Sequence, residues 1–171
     1  MPKVVTIYIK YVEAASQAVG KFSMWVLFFA MMGILLFETL SRNFLNLPHI
    51  WVVETAQFTM AAYYLLGGGY SLILEGHVRM DLLYGKWSAR RQATVDAITI
   101  FFLIFYMVFL IVGGISGIDY ALTYGQRNYT PWGPPLAPIK IVMMVGIVLM
   151  LLQVIATFFK DLAVARGRAI T

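Results

Sequence analysis

Between its charged positions the chain has four uninterrupted neutral runs: Phe22 to Phe37, Thr55 to Leu74, Ala97 to Ile118 and Ile141 to Phe159. Each approaches the roughly 20 residues that an α-helix needs to cross about 30 Å of hydrocarbon. The runs predict four transmembrane helices over residues 20–41, 53–75, 95–119 and 138–160, the first extended past Glu38 because its neutral core is the shortest. Ahead of them, VVTIYIKYVEAASQAVGK carries Lys10, Glu13 and Lys21 among apolar residues at helical spacing. That pattern predicts an N-terminal amphipathic helix lying at the interface and leading into the first span.

Composition points the same way. The 171 residues are 61% hydrophobic and 12% charged, against about 25% charged in an ordinary soluble domain. A single core of that size could not hide so much apolar surface, so the excess belongs in lipid. The sequence expected is one all-α integral membrane domain over residues 1–171, with no low-complexity linker or repeat. No signal-peptide cleavage pattern accompanies the first apolar run, and the chain is taken as its mature form.

Charge then orients the spans. Ten of the thirteen lysines and arginines fall in the N-terminal segment (Lys3, Lys10, Lys21), the second connection (Arg79, Lys86, Arg90, Arg91) and the tail (Lys160, Arg166, Arg168). Only Arg42, Arg127 and Lys140 fall on the other side. By the positive-inside rule both termini are expected in the cytoplasm, with the first and third connections external. Those connections, NFLNLPHIW and YGQRNYTPWGPPLAP, carry Pro48, Trp51 and Trp132 with Pro131, Pro134, Pro135 and Pro138. Prolines stop helices, and Trp and Tyr favour headgroup depth. A net charge of +5 without an aromatic-interleaved basic patch suits a membrane surface rather than nucleic acid.

Candidate chemistry is sparse. The absence of cysteine removes thiolate catalysis, disulfides and cysteine metal sites. In YYLLGGGYSLILEGHVRMDLL the apolar run stops at Glu75, and Glu75 with Arg79 and His77 with Asp81 stand four apart, as on the surface of a continued helical turn. The reading is a compensated membrane border or a protein contact. A metal would need three or more converging ligands, and an acid–base pair at His77 and Asp81 has no nucleophile or oxyanion donors beside it. Gly67, Gly68 and Gly69 remove side chains from one helical turn and permit close backbone approach or a kink. Gly113 and Gly117 form a weaker small-residue pair.

At the far ends of the spans, Glu38 and Arg42 are four apart, in the favourable acid-before-base order, and are expected to form a border ion pair or an intersubunit bridge. Trp51 suits the interface, and Glu54 sits where the second span begins, favoured by the positive end of the helix dipole. No ionisable residue lies inside any of the four runs, which argues against a self-contained proton-coupled carrier, although unwound carbonyls could still bind sodium. His49 and His77 fall at opposite faces, which disfavours a haem anchor. No catalytic, cofactor or metal residue is assigned, and the chain is not expected to be an enzyme.

This ordered set resembles the small membrane subunit, the DctQ- or SiaQ-like component, of tripartite ATP-independent periplasmic (TRAP) transporters. The likeness rests on Glu38 and Arg42 closing the first span, Trp51 and Glu54 opening the second, glycines within it, the His77 to Asp81 exit, and TPWGPPLAPIK followed by Gln153. VVET departs from the family's adjacent carboxylates by offering only Glu54.

The resemblance implies a bacterial or archaeal inner-membrane protein with two partners. A periplasmic binding protein captures an organic acid of the dicarboxylate, keto acid, sialic acid or sulfonate class. A large multi-span subunit carries the substrate and sodium sites and moves as an elevator, while the small subunit packs on its static scaffold. Glu38, Arg42, Trp51, Glu54, Gly67, Gly68, Gly69, His77 and Asp81 are then candidates for helix ends and the subunit contact, and Arg127 and Trp132 for docking the binding protein. The alternatives are a small homo-oligomeric carrier and a structural membrane anchor of another complex.

Overall fold

The computed structural model describes residues 3–74 and 89–165, and among them the regular elements are all helical, with no strand. Helix α1 (Lys3–Phe22) passes through a π-turn, Ser23–Leu27, into α2 (Phe28–Leu40), which ends in a second π-turn, Ser41–Leu45. Helices α3 (Val52–Ile73), α4 (Ala89–Thr123) and α5 (Ala137–Ala165) follow. Asn46, at a left-handed φ of 53°, closes the second π-turn, and Pro48 lies just beyond it. An asparagine tolerates that conformation, and a proline cannot continue a helix.

Among the described residues three stretches are long and apolar enough to cross a membrane: Val5–Leu45, Ile98–Thr123 and Ala137–Lys160. The first runs 41 residues, about 60 Å at 1.5 Å per residue, roughly twice the hydrocarbon thickness. Helix α3 is not among the three. Glycines, threonines, Gln57 and Glu54 dilute its apolar character, and α1, α2 and α5 pack against it.

Helix α3 has α1, α2 and α5 against it, whereas α4 packs chiefly on α5. A Cβ on Gly146 of α5 would meet Leu65, and one on Gly68 would meet Met150, so α3 and α5 run parallel. Gly114 faces Met144 and Gly117 lies near Lys140, so α4 runs antiparallel to α5. The connections 46–51 and 124–136 therefore emerge at one end of the bundle, as the charge pattern requires of two connections on one side.

The interior is built from small groups. Val52, Ala56, Ala62 and Gly69 of α3, Met107 and Ala121 of α4, and Val154, Ala156 and Ala163 of α5 are buried. Large side chains such as Phe29, Leu36, Phe102, Phe109 and Val112 point outward. Lipid tails are as apolar as leucine, so close backbone approach and dispersion hold such helices together.

Helix α1 is more tightly held than its amphipathic pattern alone predicts. Ile9, Ser16, Gly20 and Ser23 recur on one helical face and are buried. The Tyr8 hydroxyl donates to the Leu152 carbonyl at 3.0 Å, and the Lys160 ammonium pairs with the Glu13 carboxylate. Through these contacts α1 lies against α3 and α5.

Candidate subunit interface

At the end of the bundle where residues 46–51 connect α2 to α3, Glu38 closes on His49. The His49 backbone N–H donates to both carboxylate oxygens at 3.3 Å, and His49 Nδ1 lies 3.1 Å from Glu38 Oε2. The rings of Phe37, His49 and Trp51 cluster around this pair, with centroids 5.2 to 6.4 Å apart. The expected Glu38–Arg42 pairing is not formed. Both Glu38 carboxylate oxygens are taken up by His49 instead, and Arg42, in the Ser41–Leu45 π-turn, is exposed. The buried Ser41 hydroxyl donates to the Leu47 carbonyl at 3.3 Å and pins the connection.

Trp51 is half-buried at the start of α3, where its carbonyl accepts from the Thr55 backbone N–H and hydroxyl. Glu54, in the first turn, is buried at 5% exposure, and its Oε2 has no hydrogen-bond partner. The positive end of the α3 dipole offsets part of the cost of that burial.

The three glycines divide their work. Gly69 is buried against Ser16 of α1, where a Cβ would lie 3.4 Å from the serine Oγ, and Gly68 abuts Met150 of α5. Both therefore serve contacts within the chain. Gly67 and Gly68 also line a furrow of about 490 Å3, bounded by Ser23 and Met24 of the first π-turn, Tyr64 and Ser71 of α3, and Met150. The buried Ser23 hydroxyl donates to the Tyr63 carbonyl at 2.9 Å and fixes the π-turn beside the furrow.

The connection 124–136 is an ordered hairpin-like loop. Asn128 N–H donates to the Pro134 carbonyl and Leu136 N–H to the Gln126 carbonyl, each at 3.0 Å, and Arg127 bridges to Pro135. Gly133 turns the loop at a φ of 58°, a conformation open to glycine at no steric cost. Lys140 anchors its base, donating to the Gly117 carbonyl at 3.0 Å and to Gln126 Oε1 at 2.8 Å. Arg127, the fully exposed Tyr129 and the 42%-exposed Trp132 are presented outward.

The structure thus brings Glu38 and Trp51 together around His49, places Glu54 in the interior, and gathers Gly67 and Gly68 in the furrow. Arg127 and Trp132 lie apart, on the hairpin. His77 and Asp81 fall outside the described residues. Among the described residues no group of three or more His, Asp or Glu converges. Sequence reasoning missed the structural role of Ser16, Ser23, Ser41, Lys140 and Gln153. Of these, Ser16 and Gln153 are buried with an oxygen lacking any hydrogen-bond partner. For Ser23 and Gln153 a polar residue inside an apolar run was the available signal.

A family profile described as "Tripartite ATP-independent periplasmic transporters, DctQ component" matches residues 31–164, well over half of the chain. No curated protein matches it.

Proposed function

Because the chain belongs to the DctQ-component family of tripartite ATP-independent periplasmic transporters, we propose that it is the small membrane subunit that packs on the static scaffold of a larger transport subunit. In that role it supports sodium-coupled, binding-protein-dependent uptake of an organic acid of the dicarboxylate, keto acid, sialic acid or sulfonate class. The sodium and the solute bind in the large subunit. Helix α3 crosses the bilayer as a fourth span, sheltered by its neighbours, and both termini face the cytoplasm.

The observation that carries this reading is the distribution of side chains. The interior of the bundle is filled mostly with alanine, glycine, serine and valine, with Ile9, Met107, Glu54 and Gln153 among them, while the outward faces hold most of the large apolar groups. Such a chain supplies membrane-embedded surface rather than a translocation path. A rigid body of this kind enlarges the footprint of the scaffold, against which a transport domain can slide. The hairpin with Arg127 and Trp132 serves as a docking element for the binding protein, since Tyr, Trp and Arg anchors on a fixed loop are typical of protein contacts.

The test is purification of the tagged chain from native membranes with mild detergent. Equal amounts of one much larger multi-span protein are expected, and the reconstituted pair should take up solute only with a sodium gradient and binding protein. A lone homo-oligomer that moves solute in liposomes would overturn the proposal. Arg127→Glu is expected to weaken binding-protein complex formation and uptake together. Unchanged values for both would remove the docking role.

A further inference from the structure

Building on the subunit reading above, we propose that the outward stripe of α3 receives a transmembrane helix of the large subunit, one presenting hydrogen-bonding groups and small side chains at mid-membrane. Along α3 the exposed positions are Val53, Gln57, Met60 and Tyr64, at i, i+4, i+7 and i+11, a single narrow stripe. It continues into the furrow at Gly67 and Gly68. Two of the four exposed side chains are polar, and Tyr64 is 63% exposed midway along the helix.

That placement is wrong for lipid. Tyrosine favours headgroup depth, yet the middle of a 22-residue helix lies about 15 Å from either end. The Gln57 amide has two donors and an acceptor, and no hydrogen-bond partner among the described residues. The threonines behave differently. Thr39, Thr55, Thr59, Thr99 and Thr157 each donate to the carbonyl four residues earlier and so present a satisfied hydroxyl. Hydrocarbon tails cannot answer an amide, whereas a facing helix can.

The other outward faces suit lipid better. Helix α4 exposes Phe101, Phe102, Phe105, Phe109 and Val112, and α2 exposes phenylalanines, leucines and methionine; Tyr106, midway along α4, is nearly as exposed as Tyr64, so the unpartnered Gln57 amide, not the tyrosine, separates the faces. Neither carries an exposed amide. Shape separates the remaining occupants. The furrow is concave, and a two-fold contact between identical concave surfaces would leave a gap, whereas a convex helix fills it.

The chain has no cysteine, so a single introduced thiol reports alone. Gln57→Cys, Tyr64→Cys, Leu36→Cys and Phe102→Cys chains, labelled with benzophenone maleimide, are irradiated in native membranes containing the whole transporter. Attachment to the larger multi-span protein is expected from positions 57 and 64 and not above background from 36 and 102, since the photoprobe reports proximity. Gln57→Leu, an exposed substitution that leaves the interior untouched, should lower the co-purified partner about fivefold, the factor one interhelical hydrogen bond supports, at an unchanged level of this chain. Attachment from 36 or 102 but not from 57 or 64, while the large protein still co-purifies, overturns the surface and leaves the subunit reading standing. Attachment at 57 and 64 to lipid only, or to a second copy, overturns it equally. If no larger protein co-purifies or attaches anywhere, both readings fall.

Discussion

Gly146 and Leu65 bring two helices into backbone contact: a Cβ on Gly146 would lie 2.8 Å from both the carbonyl carbon and the oxygen of Leu65. That space cannot be made by rotating a flexible side chain, because the obstruction is main chain. Gly146→Ala is therefore expected to push α5 from α3 and destabilise the bundle by about 1–3 kcal/mol. Gly33, with nothing within 4 Å, is the control, and Gly33→Ala should be neutral or stabilising by up to about 1 kcal/mol. Thermal unfolding of both variants in detergent, followed by circular dichroism, checks the pair. Equal melting temperatures would contradict the close approach.

Ser23 is fully buried and holds the first π-turn to α3 through the Tyr63 carbonyl. Ser23→Ala removes that bond without adding bulk. A loss of about 1 kcal/mol is expected in equilibrium unfolding by titrated denaturing detergent.

Glu38 works through acceptance of the His49 N–H, so geometry matters to it as well as charge. Glu38→Gln keeps an acceptor oxygen and should be milder than Glu38→Ala, which loosens the 46–51 connection by about 1–2 kcal/mol. Limited proteolysis of that connection reads the difference. Identical cleavage rates for the two variants would show that the carboxylate does not hold the loop.

Lys140 donates to two oxygens at the base of the hairpin. Lys140→Met should weaken its anchorage by about 2 kcal/mol and expose residues 124–136 to protease. Cleavage no faster than in the parent chain would place the anchorage in the backbone bonds alone.

The sequence made the helices legible because apolar runs of membrane length leave few other structures available. Three of the four runs lie along α3, α4 and α5, with helix ends that depart from the run ends by one to eight residues. Residues 22–37 were legible as apolar but not as the middle of one long rod, since π-turns arise from an extra residue that hydropathy does not register. The Glu38–Arg42 pairing failed for a different reason: spacing rules see only neighbours on one helix, and Glu38 is claimed by His49 from the connection beyond it.

Site features were legible where a residue type is rare in its setting and obscure where tertiary proximity decides. Trp51 and Glu54 announced themselves at a span boundary. His49 as the partner of Glu38 required the chain to fold back over the connection, a contact across eleven positions. Gln57 sits in a neutral run and reads as innocuous until its face is known.

The π-turn at Ser23–Leu27 also has a genetic meaning. An α-helix advances about 100° per residue, and a π-turn is in effect a helix that has absorbed one residue more than its period accommodates. Deleting a single codon there would restore the regular period and leave both the apolar content of Phe28–Leu40 and its facing relative to α1 nearly unchanged, whereas a deletion in the regular helix on either side would swing that segment about 100°. Ser23–Leu27 is thus a place where the gene can gain or lose a residue while the side of α2 shown to a neighbour is kept.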